Sequence, residues 1–131
     1  MQWSRRAIGL KVFLSLAVAG WEGYAAAIRQ MVAMGALLRE KLESSGWQVV
    51  NKTPLPLCCF VNPRHPEGRS EAYLHKIAMH VVSSGRAWIS TTRLAGSIPV
   101  LRACITNYRT DADDIAALIV TLDEVRKSLH S

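Results

Sequence analysis

Apolar residues fall on nearly every side of the first predicted helix, about Arg6 to Ala19, where Leu10, Val12, Phe13, Leu14, Leu16 and Val18 leave little polar face. A helix apolar all round is either buried in a core or parted from the element that covers it. Gly20 predicts a break or kink. From Trp21 to Ser45 the pattern becomes a stripe. Tyr24, Ile28, Met31, Gly35, Leu38 and Leu42 recur at alternating spacings of four and three, with Arg29, Arg39, Glu40, Lys41 and Glu43 largely outside it. Gly46 is a natural helix stop.

Beyond Gly46 the period shortens. Trp47 to Asn51 reads as a short strand, Pro54 and Pro56 as a turn, and Leu57 to Asn62 as a second strand. A loop with Pro63, Pro66 and Gly68 follows. Glu71 to Ser84 is helical, with Leu74, Ile77, Ala78, Val81 and Val82 on one face, and Gly85 ends it. Ala87 to Leu94 and Val100 to Thr106 are strands joined through Ala95-Gly96-Ser97, and Pro99 belongs at a strand start or an edge. The last helix runs from Asp111 to about Leu129, with Thr110 as the expected N-cap and Ile115, Leu118, Ile119, Leu122 and Val125 as its apolar face. Asp111, Asp113 and Asp114 crowd its first turn and Arg126, Lys127 and His130 its last, which suits the helix dipole. The expectation is an α+β chain: residues 1–46 as two connector helices, then 47–131 as a small domain reading strand-strand-helix twice, together one unit. Its four strands form one antiparallel sheet with helices packed on one face.

Size and charge narrow the classes. At 131 residues, half of them apolar and a fifth charged, the chain can bury the core of one domain. The formal charge of +6 is spread among acidic residues, not gathered in a block, so a solvated surface with a few anion-binding arginines fits it better than nucleic-acid binding. Cys58, Cys59 and Cys104 have no metal-ligand spacing, and the adjacent pair cannot bridge simply. They read as reduced thiols, mostly buried, in a cytoplasmic protein. Ser4-Arg5-Arg6 before an apolar stretch imitates an export signal. Lys11 interrupts that stretch, no cleavage site follows, and Val12 to Gly20 is too short to span a membrane.

Candidate chemistry is sparse. In the strand Val100 to Thr106, Leu101, Ala103 and Ile105 share one face; Val100, Arg102, Cys104 and Thr106 share the other. Arg102 therefore points away from the core, where its planar fork could clamp a carboxylate; an ordinary surface or ion-paired arginine is the plainer alternative. Thr91, Thr92 and Arg93 read as strand-forming residues. His75-Lys76 lies on an amphipathic helix with Lys76 on its polar side, and His65 and His80 read as surface residues. The aspartates at 111–114 suit a helix start better than a metal, and no metal site, phosphate loop or nucleophile elbow is present in the sequence.

The run Ala87-Trp88-Ile89-Ser90-Thr91-Thr92-Arg93-Leu94-Ala95-Gly96, the segment Pro99 to Thr110 and the start Trp3-Ser4-Arg5-Arg6-Ala7-Ile8-Gly9-Leu10-Lys11-Val12-Phe13 resemble the C-terminal part of group II pyridoxal-phosphate (PLP) dependent amino-acid decarboxylases, of the aromatic-L-amino-acid type. The resemblance runs from Trp3 to about Lys127. It implies the small domain of a fold type I enzyme, a homodimer in which PLP, held as an imine by a large-domain lysine, serves as electron sink when the α-carboxylate leaves as carbon dioxide. That lysine would lie upstream of Met1, so no cofactor is expected on this chain alone and the chain alone should be inactive. Lys76 follows the paired arginines and so does not match the cofactor lysine. Arg102, in Leu101-Arg102-Ala103-Cys104-Ile105, matches an arginine that binds the substrate carboxylate in some members. Arg5 and Arg6 match the paired arginines near the active-site and dimer region; positioning of the helix start through salt bridges is the alternative. Ala7 departs from the phenylalanine common there. A free-standing small basic α/β binding or interaction module is the competing reading.

Overall fold

A computed structural model describes residues 8–129 of the chain. Its elements are α1 (Ile8–Ser44), β1 (Gln48–Val49), β2 (Leu57–Val61), α2 (Glu71–Ser83), β3 (Ser90–Leu94), β4 (Ile98–Cys104) and α3 (Ala112–Ser128). The two predicted helices before Gly46 are the arms of α1. Gly20 divides them at φ 66° and ψ 173°, a backbone region essentially restricted to glycine.

The sheet has the order β1-β2-β4-β3, and every neighbouring pair is antiparallel. β2 and β3 both oppose the central β4, so they run parallel to each other, and α2 carries the chain across between them. β3 and β4 form a hairpin whose turn places Ala95 (φ 48°) and Gly96 (φ 74°) in the left-handed region, while Ser97 N–H donates to Leu94 O. Two successive positive φ values at the centre of the Leu94–Ser97 turn match the twist of the flanking strands. β1 is shorter than its pattern suggests because a side chain takes over its ladder. Asn51 Oδ1 accepts the N–H of Cys59 at 2.7 Å, and Asn51 Nδ2 donates to Leu57 O at 3.0 Å.

The register puts Cys58 opposite Ala103 and Phe60 opposite Leu101, so these four side chains share one face. Leu38 and Leu42 of α1, Leu74, Ile77 and Val81 of α2, and Ile115, Leu118 and Leu122 of α3 complete the core with them. α3 touches both α1 and α2, which places the three helices in one layer. Gly35 marks the closest approach of α1: a Cβ there would lie 2.6 Å from Pro56 Cα. Trp47 packs edge-on to Phe60 at 5.5 Å, under the guanidinium of Arg126.

Several expectations need correction. The N-cap of α3 is Asp111 and not Thr110. Asp111 Oδ1 accepts the N–H groups of Asp113 and Asp114, and the Asp114 carboxylate accepts the Asp111 N–H in return, a reciprocal box that Thr110 is placed one residue too early to make. Val100, expected beside Arg102 on the open face, is fully buried, flanked by Thr92 on the central strand's other side. Val82 is exposed, and buried Tyr73 takes its place on the inner face of α2. Tyr24 and Ile28, on the predicted stripe of α1, are exposed because only the part of that helix from Met31 onward reaches the core. The first arm of α1 is likewise uncovered: Leu10, Phe13 and Val18 are all more than half exposed, as is Trp21 just past the kink.

Candidate functional site

Alternation along β4 fixes the orientation of the one sequence-predicted site residue that lies within the described region. Leu101, Ala103 and Ile105 are buried, while Arg102, Cys104 and Thr106 are exposed. Arg102 stands near the middle of the sheet on the face away from the helices, with Cys59 directly opposite on β2 and Ser90 directly opposite on β3. Among the described residues no carboxylate lies within ion-pairing distance of it. Arg93, by contrast, is paired with Glu71 and Arg86 with Glu124. Arg5 and Arg6 lie outside the described residues.

The thiols around this face are not poised as nucleophiles. Burial pushes Cys59 above the ordinary thiol range, against a smaller downward pull from the Arg102 guanidinium. Cys58 faces the helices, where its Sγ donates to Gly35 O at 3.7 Å; burial pushes it up as well, opposed by Arg39. Cys104 is exposed, whereas Cys58 and Cys59 are buried, in line with thiols that are mostly buried. His65 also departs from the expectation of a surface residue. It is half-buried and stacks on Tyr73 at 4.1 Å, and the Tyr73 hydroxyl accepts from the fully buried Asn62 at 2.8 Å. No periodicity signals that cluster; the prolines and Gly68 of the loop indicate only that the chain turns there. His75, Lys76 and His80 lie on the exposed side of α2.

Three clefts stand out among the described residues. The largest, about 670 Å³, lies in the bend of α1 and is lined by Ser15, Ala19, Gly23, Tyr24, Met31 and Tyr108 among others. None of the three is lined by a lysine, and no group of three histidine, cysteine, aspartate or glutamate side chains could hold a metal ion among the described residues. PLP needs a lysine amine inside a pocket. The described residues do not fit it, and what the open face offers is one unpaired guanidinium for an anionic group.

The fold is similar to parts of several solved proteins. The chain superposes on Oryza sativa TDC, solved with PLP and tryptamine, with a TM-score of 0.78 at 17% identity, covering 94% of this chain and 27% of that one. Against Catharanthus roseus tryptophan decarboxylase in complex with L-tryptophan the TM-score is 0.76 at 24% identity, covering 91% and 26%. Against a Lactobacillus brevis glutamate decarboxylase it is 0.73 at 16% identity, covering 89% and 27%. The chain folds like part of these decarboxylases. It spans about a quarter of the length of the solved chains it matches. No family model matches it. Among the described residues no helix is long and apolar enough to cross a membrane.

Proposed function

We propose that this chain is the C-terminal small domain of a PLP-dependent amino-acid decarboxylase of the group II, aromatic-L-amino-acid type, working in the cytoplasm against a large domain that holds the cofactor. Residues 1–46 serve as the connector and 47–131 as the small domain. The observation that carries this reading is Arg102, exposed near the middle of the sheet on the face away from the helices and with no carboxylate within ion-pairing distance among the described residues, in a chain whose fold matches a quarter-length part of such enzymes. In this reading the open face meets the large domain. Arg102 holds the α-carboxylate of the amino acid, and Arg5 and Arg6 lie at the active-site and dimer region. Catalysis at the cofactor belongs to the large domain.

Arg102→Lys in the assembled enzyme tests the assignment. A guanidinium holds a carboxylate with paired bonds that an ammonium cannot copy. Losing a bond to a charged group lowers activity by about tenfold to a hundredfold, with the melting temperature and PLP content little changed. A lower melt with normal kinetics of the folded fraction would mean that Arg102 only braces the interface.

A further inference from the structure

Trp88 is 71% exposed. A single exposed apolar side chain needs no explanation by itself, but this one is placed beside Arg102. Ala87 packs against the core and Ile89 is buried in it, so Trp88 between them turns the opposite way. That is the side of Ser90, which lies directly opposite Arg102. Trp88 also lines a cleft of about 230 Å³ with Cys104 and Thr106, the exposed residues that follow Arg102 along β4. At about 3.4 Å per residue, Cys104 stands about 7 Å from Arg102 on the same face.

The charged side chains lining this cleft are already engaged. Arg86 pairs with Glu124 at 3.0 Å, and the Asp114 carboxylate accepts the Asp111 N–H at the start of α3. Arg102 has no carboxylate partner among the described residues. We propose that Arg102 and Trp88 form a two-point site for an aromatic monocarboxylate, with the guanidinium taking the carboxylate and the indole taking the ring. Rings in offset or edge-on contact gain more than the area they bury. The two carbons between carboxylate and ring in an aromatic amino acid let one molecule reach both points. A second carboxylate would meet Ser90, Thr92, Cys104 and Thr106, none of them charged. The site rests on the carboxylate role of Arg102 proposed above and adds the group that reads the side chain.

Heteronuclear NMR of the full chain tests the site, with titrations of phenylpropionate and of propionate, which lacks only the ring. The Trp88 indole N–H, assigned by its loss in Trp88→Ala, reports one point. The Arg102 Nε–H, assigned by its loss in Arg102→Lys, reports the other. Phenylpropionate should shift both signals with one dissociation constant, on the order of tenfold tighter than propionate. Trp88→Ala should erase that preference and leave propionate binding unchanged, Trp88→Phe should keep most of it, and Arg102→Lys should weaken both acids. A preference that survives Trp88→Ala, or equal binding of the two acids by the wild type, would overturn the role of Trp88 and leave that of Arg102 standing. No shift at Arg102 with either acid would overturn both.

Discussion

The two stretches of α1, up to Ile28 and from Met31 onward, are built from similar residues and reach opposite states. From Met31 to Ser44 the helix lays Leu38 and Leu42 on the sheet and buries both. From Ile8 to Ile28 it carries more large apolar residues and covers almost none of them. Composition does not account for the difference; reach does. The sheet offers the helix β1, β2 and the Pro56 turn, where Gly35 makes the close approach, and past that point α1 runs off the edge. An apolar pattern therefore tells that a residue needs cover without telling whether its own chain supplies it.

The comparison can be broken first with paired phenylalanines. Phe60 is fully buried and Phe13 is not. Phe60→Ala should lower the unfolding free energy by about 3–5 kcal/mol, whereas Phe13→Ala, measured in urea at a concentration low enough to keep the chain monomeric, should change it by less than about 0.5 kcal/mol. Equal losses would mean that the first arm packs into the body. A smaller effect sharpens the boundary between the two stretches. Gly35→Ala forces a Cβ to within 2.6 Å of the Pro56 backbone and should destabilise by about 1–3 kcal/mol, while Gly23→Ala, where a Cβ makes only an ordinary 3.4 Å contact within the helix, should be neutral or stabilising. The gentlest probe leaves the fold intact. Because burial raises the thiols of Cys58 and Cys59 and Cys104 is exposed, native labelling with a thiol reagent at neutral pH should modify Cys104 alone. The other two should react only on unfolding. Burial should keep Cys58 and Cys59 unlabelled as the pH is raised, for as long as the fold holds.

Much of the fold is legible in the residues. The kink at Gly20, the strand-strand-helix order and the outward turn of Arg102 all follow from period and punctuation. What is not legible depends on distant partners. Val100 alternates like Arg102 yet is buried between neighbouring strands. The short β1 reflects hydrogen bonds from the Asn51 side chain to Leu57 and Cys59, six and eight residues on, which no local pattern encodes. Thr110 and Asp111 are both good caps, and the choice falls to Asp111 because Asp114 can answer it. At the candidate site the sequence orients Arg102, but the flanking Cys59 and Ser90 come only from the register.

The most direct measurement is carbon dioxide release from an aromatic L-amino acid by this chain co-expressed with the PLP-binding large domain of a group II decarboxylase. The account predicts no release by either part alone and PLP-dependent release by the two together, with borohydride trapping the cofactor on the large domain and not on Lys76. Decarboxylation by this chain alone, a stoichiometric adduct on Lys76, or a stable complex of the two parts that stays inert would contradict it.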